Sequence, residues 1–195
     1  MKKEEIVDIL EKTGAIQHGH FILSSGKRSA IYCQCAKLFI YPEIAEKICS
    51  ELAIKVINEI KLDIDYIVAP AMGGVLVGYE LARQLKTKSV FYERVNGTFK
   101  LRRGFNIKKG SKVLIIEDVI TTGKSSLECV KLIKKAKAKL LGFASIIDRS
   151  TKKSLKIKTG IISHLKIDVP TFTTKQLPQD LKSIPITTPG SRFIK

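Results

Sequence analysis

Between Lys112 and Ser126 the chain reads KVLIIEDVITTGKSS, an order of residues that few folds accommodate. Val113, Leu114, Ile115 and Ile116 are an unbroken apolar run rich in β-branching, as expected for a strand buried on both faces of a parallel sheet. Two carboxylates, Glu117 and Asp118, follow where the strand is expected to emerge from the sheet. Thr121, Thr122, Gly123, Lys124, Ser125 and Ser126 then set short hydroxyls around a glycine, ahead of the helical pattern LECVKLIKKAKAK up to residue 139. Strand, polar turn and helix N-terminus is the geometry in which free backbone N–H groups and a helix dipole meet a phosphate.

The Thr-Gly-Lys-Ser string overlaps a P-loop signature, but that signature also needs a glycine where this chain has Asp118. A loop wrapped around a polyphosphate would be repelled by the two carboxylates. The alternative divides the tasks. Thr121 to Ser125 wrap a single monophosphate, and Glu117 and Asp118 accept from sugar hydroxyls, which suits a ribose with free 2′- and 3′-hydroxyls. A plain helix cap would account for the threonines and glycine, but caps do not call for adjacent acids. The whole stretch resembles the phosphoribosyl-pyrophosphate (PRPP) motif of type I phosphoribosyltransferases. Four apolar residues precede two acids, then Val119 and Ile120, then Thr-Thr-Gly and hydroxyls.

The rest of the chain is consistent with a doubly wound α/β sheet. Apolar stretches at about 65–70, 89–95, 112–118 and 140–148 alternate with helical patterns. Ile6, Val7, Ile9 and Leu10 have helical spacing, and from Pro42 to Ile60 an apolar stripe predicts a longer helix. The strand ending at Pro70 leads through Gly73 and Gly74 to a helix predicted from Val75 to Leu85; a glycine turn there lets backbone amides approach an anion. Asn96-Gly97 predicts a tight hairpin carrying Arg94, Lys100, Arg102 and Arg103. Those cations are either solvated or part of a lid. Asp148-Arg149 is predicted at the same sheet edge as the two acids, with Arg149 directed at the crevice, where it can fork onto a carboxylate. A further strand is expected from Ile161 to Val169 and a loop-like tail from Phe172 onward.

A chain of 195 residues is expected to form a single domain over 1–195, with a small hood from about 14–40 and 160–195. No apolar run approaches the roughly 18 residues of a membrane span, and the acid-containing N-terminus MKKEEIVDIL is not expected to be a signal peptide. Cys33, Cys35, Cys49 and Cys129 lack redox or zinc-finger spacing, with Cys49 and Cys129 expected in the core, so a reducing cytoplasm is the expected setting. The net charge of +17 suits nucleic acid or anionic substrates. The lysines are spread along the chain, densest at Lys131, Lys134, Lys135, Lys137 and Lys139, without aromatic interleaving, so a dedicated nucleic-acid surface is not expected. His18, His20 and His164 are scattered, and no metal cage is expected from the protein.

Within the type I family the resemblance is to the orotate phosphoribosyltransferases. Phe21, Leu23, Ser25, Gly26, Lys27, Ser29 and Tyr32 match the segment that covers their base pocket, and the ending Ile-Pro-Ile-Thr-Thr-Pro-Gly-Ser-Arg is similar to the tail of one subgroup. Some relatives carry a lysine where this chain has Ser24, which leaves Lys27, Arg28 and Lys37 open as partners of the base carboxylate. The resemblance implies transfer of the phosphoribosyl group of PRPP to orotate, giving orotidine 5′-monophosphate and pyrophosphate in pyrimidine (UMP) biosynthesis. Mg²⁺ would be carried mainly by PRPP. It assigns PRPP to Arg94, Glu117, Asp118, Val119, Ile120, Thr121, Thr122, Gly123, Lys124 and Ser125, with Gly73 and Gly74 as the pyrophosphate loop. Many relatives have a lysine in that loop where this chain has Met72 or Gly73, so backbone amides would act alone. Orotate would meet Thr121, Arg149 and Lys27, and Asp118 would share catalysis with lid residues Lys100, Arg102 or Arg103. A homodimer whose lid reaches the neighbouring site is also implied. A purine phosphoribosyltransferase, or a PRPP-sensing nucleic-acid-binding regulator, would share the central motif.

Overall fold

The computed structural model describes residues 1–23, 25–151 and 160–189. Ser24 and the last residues of the tail resemblance therefore lie outside the described residues. The helical spacing of Ile6 and Leu10 gives α1 (Lys3–Lys12), closed by Thr13, whose hydroxyl donates to the carbonyl of Ile9 at 2.8 Å. Strands β1 (Ile16–Ile22) and β2 (Arg28–Cys33) form an antiparallel pair around the Ser-Gly turn, and a 3-10 turn over Cys35–Ile40 leads to α2 (Pro42–Ile60). The central units are β3 (Tyr66–Pro70), α3 (Gly74–Gln84), β4 (Lys88–Val95), β5 (Thr98–Leu101), β6 (Lys112–Ile120), α4 (Lys124–Lys135) and β7 (Lys139–Asp148). After them come β8 (Ile161–Lys166), the single turn α5 (Gln179–Lys182) and β9 (Ile186–Thr187).

A six-stranded sheet runs in the order β5-β4-β3-β6-β7-β8, parallel except for the edge strand β5. Its central strand β6 is buried on both faces, and the alternation of side chains divides the core in two. Leu114 and Ile116 pack with Ile48 and Leu52 of α2 and Leu81 of α3. Val113 and Ile115 pack with Cys129 and Ile133 of α4. Each fully buried aliphatic side chain contributes about 2 kcal/mol, and both layers are needed to bury the apolar run.

Several boundaries differ from the sequence-based expectations. β6 runs two residues beyond the expected end at 118: it pairs with β7 as far as Ile120 opposite Asp148, so Glu117 and Asp118 lie within the paired strand. Helix α4 stops at Lys135, because Lys137 adopts a left-handed φ of 54° and Lys139 already opens β7. The lysine cluster is therefore divided among helix, turn and strand. The strand at Ile161–Lys166 belongs to the main sheet rather than to the hood, pairing with β7. The hood is a second sheet in the order β2-β1-β9, closed where β9 joins the open edge of β1 in parallel. The tail is thus structured in part, with a 3-10 turn over Thr174–Gln176 and the bridge Arg28–Phe172 ahead of β9. Among the described residues, no helix is long and apolar enough to cross a membrane.

Candidate active site

Alternation along β6 places its two acids on opposite faces. Glu117 follows Val113 and Ile115 toward α4, where the fully buried Ser126 hydroxyl donates to its Oε1. Burial pushes Glu117 up to about 7; the Ser126 hydrogen bond works against that rise, and the neighbouring charge of Asp118 adds to it. Asp118 follows Leu114 and Ile116 toward α3. Burial raises its carboxyl too, opposed by backbone amides including that of Val119. Beyond the acids, Val119 packs against the α2 side and Ile120 is fully buried on the α4 side.

Gly123 caps α4 at φ 67°, a left-handed conformation that favours glycine. The turn it makes folds Thr121, Thr122, Lys124 and Ser125 around a cavity of about 530 Å³, which Glu117 and Arg94 complete. The amides of the first helical turn and the positive end of the helix dipole lie at this wall. Arg94 is fixed there by three contacts: Gly97 O at 2.7 Å, the Glu128 carboxylate at 3.0 Å and the Phe99 ring at 4.0 Å. A second cavity of about 540 Å³ opens at the other end of the strands beside Lys61, Lys86 and Lys112. Helices α2 and α3 end there, so their dipoles present negative ends, and the cavity at the carboxyl edge is the better anion site.

On the α3 face, Gly73 has φ −54°, open to any residue. Space there is short: a Cβ at that position would stand 2.7 Å from Asp118 Oδ1, so the carboxyl group would have to shift. At Gly74 a Cβ would stand 3.0 Å from the Ile116 carbonyl. Met72 beside them is exposed and no lysine takes its place. Arg149 leaves the end of β7 with its amide donating to the Ile120 carbonyl at 2.8 Å. Burial pushes the half-buried Cys33 thiol up, a rise that the charge of Arg149 opposes and that of Asp118 adds to. Glu128, which pairs with Arg94, is an addition to the expected residues, and Ser126, named in the motif only as one of its hydroxyls, takes the role of donor to Glu117.

The remaining expected residues are more dispersed. Lys27 is exposed on the β1–β2 turn, whereas Lys37 lies along Gly14, with its Cδ only 3.3 Å from where a Cβ there would stand. Arg28 is half-buried, with Nε and Nη1 lacking partners among the described residues. Asn96 and Gly97 form the expected turn with φ of 49° and 76°. Of the hairpin cations, Arg94 alone lines the cavity. Arg102 (3.3 Å) and Arg103 are ion-paired with Glu93, and Lys100 stands exposed opposite Glu93 in the ladder. Among the described residues, no group of three or more His, Cys, Asp or Glu side chains is placed to hold a metal.

Residues 40–174 match the family model described as the phosphoribosyl transferase domain. The orotate phosphoribosyltransferase of Parvibaculum lavamentivorans is 44% identical over 194 residues, covering 100% of both chains. That of Thermotoga maritima is 48% identical over 192 residues, 97% of this chain and 100% of the relative. The crystal structure of orotate phosphoribosyltransferase from Aeropyrum pernix superposes with a TM-score of 0.71 at 21% identity, over 83% of this chain and 93% of that one, a likeness of fold.

Proposed function

The chain belongs to the phosphoribosyl transferase family, in its orotate phosphoribosyltransferase branch, and from that premise we propose that the crevice at the carboxyl end of β6 is where PRPP and orotate react. The enzyme transfers the phosphoribosyl group of PRPP to orotate. The bond from C1′ to the pyrophosphate oxygen breaks, the bond from C1′ to the deprotonated ring nitrogen of orotate forms, and the products are orotidine 5′-monophosphate and pyrophosphate. This is a step of pyrimidine biosynthesis.

The observation that supports this use of the crevice most directly is the cavity formed by Glu117, Arg94 and the Thr121–Ser125 turn. In our reading the turn and the first amides of α4 hold the 5′-phosphate, with Val119 and Ile120 supplying the strand end. Glu117 and Asp118 receive the ribose hydroxyls from the two faces of β6. Gly73, Gly74 and the N-terminus of α3 bind the pyrophosphate through backbone amides. Arg149 forks onto the orotate carboxylate, aided by Thr121 and Lys27. The transition state is oxocarbenium-like, so the chemistry needs positioned charge rather than a covalent nucleophile. Asp118 stabilises the positive charge at the sugar, and Lys100, Arg102 and Arg103 meet the departing pyrophosphate once the hairpin gives up Glu93. Such exposed pairs are worth at most about 1 kcal/mol, so their release is easy.

Glu117 and Asp118 offer hard oxygen donors suited to Mg²⁺, but they sit on opposite faces with no third ligating carboxylate among the described residues, and we propose an ion carried chiefly by PRPP. When bound, Mg²⁺ supplies neutralisation of the leaving pyrophosphate. We place the enzyme in the cytoplasm, as a homodimer with the hairpin shared across the interface. Support for association comes from Met72, Leu76 and Tyr79, which are 81%, 52% and 65% exposed along one side of α3 and its approach. The charge of +17 serves two anionic substrates. Pyrophosphate release from PRPP and Mg²⁺ should be measured with orotate, uracil, hypoxanthine, guanine and xanthine. Turnover with orotate alone is expected. Turnover with a purine, or silence from folded protein that still binds PRPP, would overturn the reading.

A further inference from the structure

We propose that Glu128 of α4 is a positioning residue for Arg94, holding its guanidinium at the phosphate-binding turn so that an anion meets a cation already in place. The inference rests on the placement of the 5′-phosphate of PRPP in the cavity that Arg94 lines. Three features of the structure lead to it.

The first is where Glu128 stands. It lies on α4, the helix whose N-terminal turn forms the cavity wall, whereas Arg94 comes from β4 in the hairpin. Their ion pair at 3.0 Å ties the hairpin cation to the element that carries the turn. The second is how the guanidinium is engaged. Nη1 takes both polar contacts, with the Glu128 carboxylate and with the Gly97 carbonyl at 2.7 Å, and the Phe99 ring lies 4.0 Å from the guanidinium carbon. Neither polar contact uses Nε or Nη2, so donors remain for an incoming phosphate. The third is the contrast within the hairpin. Glu93 holds Arg102 and Arg103, and neither lines the cavity; the arginine held from α4 is the one that does. An arginine free in solvent gives up its rotamer freedom when it binds, whereas one held on three sides has already given it up. Charge alone argues for the opposite effect, since a carboxylate beside the site repels a phosphate. Positioning and repulsion therefore predict changes of opposite sign when Glu128 is removed.

Steady-state kinetics of a small set of variants decides between them. Arg94→Ala is read first, and its KM for PRPP should rise about tenfold, the loss of a charge-assisted hydrogen bond. An unchanged value there would overturn the premise that Arg94 meets PRPP, and the proposal with it. Glu128→Ala sets a good helix former at a partly exposed helix position, so the melting temperature should stay within a few degrees of wild type. Its KM for PRPP should rise about fivefold, with the change in KM rather than kcat, while the KM for orotate at saturating PRPP stays within about twofold. Glu128→Gln keeps an acceptor for Nη1 and should fall between wild type and alanine. In the Arg94→Ala background, Glu128→Ala should raise the KM for PRPP no further, because the carboxylate acts through the arginine. A KM for PRPP that is unchanged or lower in Glu128→Ala would overturn the proposal while leaving the premise standing. A further rise in the double variant, or an equal rise for PRPP and orotate, would do the same.

Discussion

Glu117 and Asp118 are neighbours in sequence with different surroundings, and their roles can be separated. Glu117 titrates at about 7 in the unliganded protein, so part of the population carries a neutral carboxyl at physiological pH. A carboxylate accepts hydrogen bonds from sugar hydroxyls better than the acid does. Affinity for PRPP should therefore rise as pH increases through 7. Ser126 contributes by donating to the carboxylate. Ser126→Ala withdraws that donor, raises Glu117 further and should move the acid limb of kcat/KM for PRPP upward by up to about one pH unit. A pH profile superimposable on wild type would contradict this role. Asp118 lies on the face shared with Gly73, where burial pushes its carboxyl up against backbone amides that favour the charged form. Asp118→Asn is nearly isosteric, so circular dichroism should be unchanged while turnover falls about 100-fold or more; near-normal rates from the folded variant would remove Asp118 from the chemistry.

The approach to α3 carries its function in what it leaves out. Gly73 adopts an ordinary helical φ, so alanine costs the backbone nothing there, yet its Cβ would collide with Asp118 at 2.7 Å. Gly73→Ala should leave the melting temperature within a few degrees of wild type and reduce kcat at least about tenfold, because Asp118 must move. A large fall in melting temperature with unchanged kcat would locate the glycine's importance in folding instead. This close approach could not be read from the sequence, where Gly73-Gly74 was a glycine turn letting backbone amides approach an anion. The strands themselves were legible because Val113 to Ile116 and Ile146 to Ile147 are apolar runs that only a doubly covered sheet buries. The end of β6 was not: Glu117 and Asp118 interrupt the apolar run, but pairing with β7 carries the strand on to Ile120. Contacts between distant segments were equally hidden, since no periodicity links β9 to β1, or Glu93 to the arginines across its hairpin.

Across the whole molecule, two buried groups pull stability in opposite directions with pH. His164 of β8 is hydrogen-bonded through Nε2 to the Ile48 carbonyl at 2.7 Å, and its Nδ1 is enclosed without a partner among the described residues. Protonating Nδ1 would bury a charged donor, and burial lowers the group to about 4. Between about 6.5 and 4 the unfolded chain therefore binds the proton that the folded one refuses, and stability is lost as pH falls through that window. Glu117 does the reverse. Its folded value of about 7 lies above the unfolded one near 4.5, so the folded state holds the extra proton and gains stability as pH falls from 7. Glu51 and Glu80, lowered by the N-terminal ammonium and by Arg83, add losses only at more acidic pH. The two opposing slopes should give the wild type a flatter stability profile between pH 7 and 4.5 than either group alone would produce. His164→Gln deletes one of them. At pH 7 the variant should be less stable by about 1 kcal/mol for the altered hydrogen bond, but on acidification it escapes the protonation cost, on the order of 3 kcal/mol by pH 4. Urea unfolding at pH 7, 6, 5 and 4 should show the deficit shrinking and then reversing. A constant difference between the two proteins at every pH would mean that His164 is not the group whose proton is excluded.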